Sequence, residues 1–443
     1  MIARKPLVEV GGAAYQANQP IVFAYIEWIM RNVLGPGEMS MRIPSLLGAL
    51  GCAYLLYSIG KEFSNRETGR IYALVFVMLP QVMIEASNAR PYMLGLFCLL
   101  LAIQSLLRWT QKRTWKQATL FAVYTAASAY LHPFFFFAAP FEFLYFAMKS
   151  NLRDRRVVHQ AAWSTLLCLG LLLPLTLPIG VIIARRVIIH FPTPASLANL
   201  LDYLFLPRFA VVCTAAWAIV RSTKSFRLLN PEHVLLGVLL VIPAILMFVI
   251  AKTLGYSVFV DRYLLSSIPG VILIWGSVMR GVHPGSVRRF MLFAGLLLSF
   301  ATQPFQAVPD FRGEQWRTAI EHAPRTGQML IYAGLAETRQ LAWLRDPAHW
   351  AYLTSPVGVY SPEISPDRTF LIPFEIQAND QEYMQKLVAE SVTAQTVTII
   401  ARSYFWGRPW LDWFAQSLRH DGYMPVRTER YGMVELNVYE RGS

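Results

Sequence analysis

Residues 92–131 read YMLGLFCLLLAIQSLLRWTQKRTWKQATLFAVYTAASAYL. Two apolar runs, 92–107 and 117–131, flank a linker that carries Arg108, Lys112, Arg113 and Lys116. An apolar run that ends in a basic cluster and then resumes is the pattern of a membrane hairpin with its turn in the cytoplasm. Similar runs recur on both sides, at 43–60, 71–85, 134–148, 160–183, 201–220, 233–251, 264–279 and 290–304. Several fall short of the ~20 residues of an ordinary span, so interfacial residues complete them or the bilayer thins locally. The fold expected is an α-helical polytopic membrane protein of about ten transmembrane helices with a C-terminal α/β soluble domain.

Composition agrees. Of 443 residues, 55% are hydrophobic and only 15% charged, too apolar for a soluble protein of this length. The net charge of +13 would suit nucleic acid if it were spread over a soluble surface. Instead, residues 305–443 hold 13 Lys/Arg against 16 Asp/Glu, and the basic excess lies between apolar runs of the first 304 residues. That places the charge in membrane loops and argues against a nucleic-acid partner. Cys52, Cys98, Cys168 and Cys213 all sit inside apolar runs with no CxxC or Cys/His cluster, so they read as packing residues and no metal is indicated by them.

The linkers give a direction. Alternate loops carry 17 basic residues over five loops, from Lys61/Arg66/Arg70 to Arg280/Arg288/Arg289, against 5 over the four intervening loops. The membrane potential and anionic lipid hold the first set in the cytoplasm. Residues 1–42 then belong outside, although nothing before them could carry them across, and the start, MIARKP, is no signal peptide. Residues 20–34 (PIVFAYIEWIMRNVL) do not solve this. With Glu27 and Arg31 and one apolar face, they read as an amphipathic helix on the outer interface. The expectation is that a preceding transmembrane helix is missing from the N-terminus. Three regions follow: 1–42, an outer loop with that interfacial helix; 43–304, the transmembrane domain; and 305–443, a periplasmic α/β domain. In the last, Gln328–Ala333, Thr369–Ile376 and Thr396–Arg402 read as strands, and Pro425–Arg441 as one or two more. Glu314–His322, Glu337–Asp346, Gln381–Ser391 and Trp410–His420 have helical spacing. No GxGxxG or P-loop is present.

Polar residues at a membrane edge are costly and point to function. On the outer side they gather at Asn18-Gln19-Pro20, 38–45 (EMSMRIPS), 85–92 (EASNARPY), His132-Pro133 and Asp261-Arg262-Tyr263. A cavity lined by arginines suits an anionic lipid headgroup, because guanidinium offers a fixed fork of donors and keeps its charge. Each residue also has a plainer reading. Arg42 and Arg90 adjoin prolines and fit snorkelling to headgroups equally well. Asp261-Arg262 fits an interfacial charge pair, and His132 fits a structural turn residue. Glu142, within PFEFLYF, is the costliest single acid, expected to pair with a basic group or to be neutral.

At these residues the chain resembles the bacterial polytopic glycosyltransferases of the GT-C fold, the dolichyl-phosphate-mannose–protein mannosyltransferase-like superfamily. That group includes the lipid A aminoarabinose transferases and the lipopolysaccharide-core galacturonosyltransferases. NQPIVFAY from Asn18 is similar to the family's HPPLYYLL, and GEMSMRIPS from Gly37 to SELALRLPS. EASNARPY from Glu85 is similar to YSQEARPY, YLHPF from Tyr130 to YTHYF, and VDRYLL from Val260 to PRYLLP. DFRGEQWR from Asp310 resembles the family's KEDWR segment at the start of its C-terminal periplasmic domain. Each motif is weak alone; their order and shared membrane side are specific.

The resemblance implies transfer of a sugar from a polyprenyl-phosphate carrier to a glycan, lipid or protein acceptor on the outer face of the inner membrane. Arg42, Arg90, Tyr92, Arg262 and Tyr263 are the residues it points to for substrate contacts, with Glu38 and His132 as the catalytic candidates among those present. Departure of the lipid phosphate calls for cations, from the protein or from a divalent metal. The sequence departs from the family in having no Asp-Glu in residues 1–17, Asn88 where Glu is usual, and Asn18 where His is common. Either the catalytic acid lies in the missing N-terminal segment, the reading that the topology favours, or the chain is a catalytically inactive scaffold of the same fold. A secondary transporter also remains open, although the lack of a repeat relating the two halves disfavours it.

Overall fold

The computed structural model describes residues 3, 5–16, 19–176, 180, 196–205, 230–254, 259, 261–282, 285–302, 315–332, 354, 357–360, 368–372, 380–402 and 408–442. The chain divides into two compact units. One is 18–304, and the other combines 305–443 with 1–17.

The larger unit is helical. After α1 (Leu7–Gln16), which belongs to the other unit, come α2 (Ile21–Leu34), α3 (Glu38–Phe63), α4 (Arg66–Val77), α5 (Pro80–Ala86), α6 (Tyr92–Lys112), α7 (Trp115–Leu131), α8 (Ala139–Lys149) and α9 (Arg155–Leu172). Then follow α10 (Leu197–Phe205), α11 (Pro231–Leu254), α12 (Ile268–Arg280) and α13 (Gly285–Thr302). Among the described residues five helices are long and apolar enough to cross a membrane, and the bent pair α4–α5 makes six. Nine of the ten apolar runs fall on these helices as far as the described residues go, 160–183 being described to 176 and at 180; the tenth, 201–220, lies mostly outside them, as does the basic cluster at 221–227. The protein is a multi-pass membrane protein.

Local chemistry sets the helix ends. Asn65 caps α4 by accepting from the Thr68 amide at 2.9 Å, and Asp154 caps α9 by accepting from the Arg156 amide at 2.9 Å. Proline makes the breaks. Pro80 opens α5 at a 70° bend from α4, with Leu79 extended before it. Pro133 pushes His132 out of the α region (φ −158, ψ 121) and ends α7, after which Pro133–Ala138 forms a 3₁₀ turn.

Without a hydrophobic force between helices inside lipid, close packing comes from small residues. A Cβ on Gly48 of α3 would lie 2.8 Å from the Met93 backbone of α6, and one on Gly270 of α12 would lie 2.5 Å from the Gly237 carbonyl of α11. At the basic end of the bundle, ion pairs tie neighbours together. Arg108 grips Glu62 at 2.6 and 2.7 Å, Lys149 meets Glu232 at 3.0 Å, and Glu67 binds both Arg280 (3.2 Å) and the buried Arg288. There the Tyr72 hydroxyl lies 2.7 Å from His233 Nδ1 and 3.2 Å from Ser277 Oγ. Glu142 is fully buried in α8, and among the described residues neither of its carboxylate oxygens has a hydrogen-bond partner. Of the two expectations for it, a basic partner or a neutral carboxyl, the first is absent among the described residues.

In the second unit, a sheet of order β2-β1-β3-β5-β4 comprises β1 (Gln328–Tyr332), β2 (Thr369–Leu371), β3 (Thr396–Arg402), β4 (Tyr423–Tyr431) and β5 (Val434–Arg441). β1 is parallel to β2 and β3, while β5 is antiparallel to β3 and to β4. Helix Trp316–Glu321 precedes β1, while Asp380–Ser391 joins β2 to β3 and Arg408–His420 joins β3 to β4, as expected of crossover units. The expected helix 337–346 lies outside the described residues, and the 369–376 run is described as strand only over Thr369–Leu371. Trp316, Ile331, Leu371, Ile400 and Leu436 share one core. The helix α1 is an element that the apolar pattern did not reveal. Helix α2 packs on α3 and α7.

Candidate functional site

The site is built at the end of the bundle opposite the ion-pair clasps, where four proline- or cap-terminated segments meet. Tyr92 opens α6 directly after Arg90-Pro91, and His132 closes α7. Residues 133–138 and the 3₁₀ turn Asp261–Ser267 complete it, packed on each other and on the start of α6.

Their side chains form one aromatic cluster. The His132 ring, 9% exposed, lies 4.9 Å from Tyr92 edge-on, 5.4 Å from Tyr263 and 5.5 Å from Phe134. Phe134 and Tyr263 stack at 4.3 Å and 7°. Tyr92 and Tyr263 are themselves buried, so their rings floor the site. The Arg262 guanidinium sits 5.3 Å from the Tyr263 ring centroid, a cation–π arrangement, and interacts electrostatically with Tyr92 and Glu85. Arg90 acts on Tyr92 as well.

Arg90 is held by its backbone and left open at its tip. Its carbonyl accepts from Ser45 Oγ at 2.7 Å, which ties the 87–91 turn to the first turns of α3. Its side chain is exposed and donates to Gln19 Oε1 at 3.4 Å, at the start of α2. Asn88 donates to Glu85 at 3.2 Å. The structure thus brings together Arg90, Tyr92, His132, Arg262 and Tyr263, though up to 173 positions separate them in sequence.

Arg42 and Glu38 lie on the first turns of α3 and pair with each other at 3.3 Å, in the i,i+4 spacing of a helix face. No contact with the aromatic cluster is described for either. Two acids enter that the sequence reading did not single out. Glu85 faces Arg262, as above. Glu27, on α2, is half-buried within electrostatic reach of Arg90, and burial pushes its carboxyl up to about 7 against the pull of that arginine. Among the described residues no three His, Cys, Asp or Glu side chains group to hold a metal ion. Asn18 lies outside the described residues, and so does the Asp310–Glu314 segment.

Chemically, a guanidinium held over an aromatic ring, with a second, exposed one nearby, can bind a phosphate beside a stacked ring-shaped group. Comparison with known proteins bears on this. Residues 18–182 match the family model of dolichyl-phosphate-mannose-protein mannosyltransferases. No curated protein matches the sequence. Among solved structures, ArnT from Cupriavidus metallidurans in the apo state is similar, with a TM-score of 0.54 and 11% identity over 94% of this chain and 86% of that one. ArnT of the same organism bound to undecaprenyl phosphate is similar too, at a TM-score of 0.50 and 11% identity over 94% and 87%. At such identity the likeness establishes the fold alone. The chain therefore has the polytopic membrane fold of these structures, and its residues 18–182 are similar to the dolichyl-phosphate-mannose-protein mannosyltransferases.

Proposed function

We propose that the protein transfers a sugar, hexose or pentose, from a polyprenyl-phosphate carrier to an envelope glycan, lipid or protein. The observation that carries the reading is the convergence of Arg90 and Arg262 on Tyr92 above a floor of stacked rings. The phosphate leaves as an anion, and preorganised cations in a partly dry site stabilise that developing charge. Arg90 and Arg262 take this role, and Tyr92 and Tyr263 add hydroxyl donors. His132 is held in the floor and positions both tyrosines. Glu27 takes the acceptor's proton, being the acid beside Arg90 whose carboxyl lies near neutrality. Arg42, paired with Glu38, flanks the carrier's path.

The ArnT structure bound to undecaprenyl phosphate supports a carrier of that kind. The basic loops support a site on the outer face of a bacterial inner membrane, with 305–443 as a periplasmic domain. Asn88, where the family it resembles usually has Glu, favours a second reading, a scaffold that binds the carrier without transferring sugar. Purified protein in liposomes, given polyprenyl-phosphate hexoses and pentoses with an outer-membrane extract, separates the two. Carrier-dependent movement of label into the extract, lost in Arg262→Ala, supports the enzyme. Carrier binding with no transfer from any donor supports the scaffold.

A further inference from the structure

The turn that carries Arg262 is not held by its own hydrogen bonds alone. Asp261–Ser267 is seven residues of 3₁₀ helix, a form whose bonds are poorly aligned and which seldom runs beyond about four residues. Neighbours therefore set its shape. Just past its end, a Cβ on Gly270 in the first turn of α12 would lie 2.5 Å from the Gly237 carbonyl, so α11 fixes where α12 begins. In its middle, the Tyr203 hydroxyl of α10 donates to the Leu264 carbonyl across 61 positions of sequence. We propose that Tyr203 is a positioning residue that holds Arg262 and Tyr263 in place through Leu264, an inference that rests on the carrier reading of that site for its ligand.

Three observations carry this role. First, the bond is made out of water. Tyr203 and Leu264 are both buried and belong to the apolar core of the bundle, where a carbonyl that loses its donor is costly. Second, α10 is itself anchored. The Trp275 indole of α12 donates to the Leu204 carbonyl at 3.0 Å. Neighbouring residues of α10 thus bind α12 and the turn before it in opposite senses, Tyr203 as donor and Leu204 as acceptor. A hydroxyl on a helix tied at two points has a defined position. Third, Leu264 directly follows the residues that face the ligand. The Tyr263 ring stacks on Phe134 at 4.3 Å, and the Arg262 guanidinium lies 5.3 Å from its centroid and hydrogen-bonds with Tyr263. A shift of the Leu264 peptide therefore moves the stack and the cation together. Phenylalanine at 203 keeps the ring and removes only the donor, which makes the tie testable.

The full chain is reconstituted in nanodiscs and its arginines are modified with phenylglyoxal, followed residue by residue by mass spectrometry of the peptides. In Tyr203→Phe, Arg262 should react about threefold faster than in the wild type, the worth of a weakened cation–π contact. Arg90, already exposed, should keep its wild-type rate. Unchanged reactivity of Arg262 overturns the proposal, and so does an equal rise at Arg90, which marks general loosening of the bundle. Trp275→Phe releases the Leu204 end of α10 and should move Arg262 in the same direction, so the test stands even if Tyr203→Phe fails to insert. Undecaprenyl phosphate binding, followed by native mass spectrometry, supplies the second readout. Tyr203→Phe should weaken it about fivefold, the worth of one buried hydrogen bond. In an Arg262→Ala background the same change should cost less than about twofold, because its effect runs through that arginine. Equal losses in the two backgrounds overturn the positioning role and leave the carrier reading standing. Absence of binding to the wild type removes the carrier reading, while Arg262 reactivity still decides the tie to Tyr203.

Discussion

Arg90 and Arg262 come from helix starts far apart in the chain, and both act on the buried Tyr92. Their cost at a membrane edge is met by a phosphate more readily than by solvent, so Arg90→Ala and Arg262→Ala should each lower transfer by about 10²–10³ with membrane insertion intact. Arg262→Lys should recover little, because an ammonium lacks the planar face that lies over Tyr263. Wild-type turnover in either alanine variant removes that residue from the site. Glu27 belongs to the same scale. A base must be ionised to work, so transfer should rise with pH through about 7 and level off above it. Glu27→Gln should lower the plateau by about 10²–10⁴ and abolish the rise. A wild-type pH profile in Glu27→Gln would rule out the assignment. Arg90, Tyr92 and Arg262 could be singled out in sequence because each stands next to proline or aspartate at a membrane edge, and Tyr263 because it follows Arg262. Glu27 could not, since its partner Arg90 lies 63 positions away and only folding brings them together.

At the level of elements, what could be read was whatever depends on apolar length, basic linkers and proline. The strand Thr396–Arg402 and the helix Asp380–Ser391 sit where their patterns put them, and Pro425–Arg441 resolves into parts of two antiparallel strands. The 70° bend at α4–α5 was hidden in what looked like one span, 71–85, because hydropathy does not register direction. The helix α1 was hidden because glycines at 11 and 12 break its apolar pattern. Pairings across the bundle were likewise beyond sequence. Glu67→Gln should destabilise the bundle by roughly 1–3 kcal/mol, read as a fall in unfolding temperature in detergent, because it deprives the buried Arg288 of its counter-charge. Glu142→Leu should instead stabilise by about 1–3 kcal/mol, since the carboxyl makes no hydrogen bond to set against its burial. A fall in stability there would mean that the carboxyl has a bound partner.

For the whole molecule, the division of labour follows from where charge is tolerated. One end of the bundle is closed by ion pairs between neighbouring helices, and the other gathers arginines and aromatics that share few such pairs. That asymmetry, within a GT-C fold whose residues 18–182 carry the family match, is the basis for assigning a carrier phosphate to the second end. Native mass spectrometry of the purified full-length chain with undecaprenyl phosphate tests this most directly. One lipid should bind per chain to the wild type, and Arg90→Ala/Arg262→Ala should weaken it about 100-fold, as loss of two charge-assisted contacts requires. Equal binding by wild type and the double variant would contradict the account.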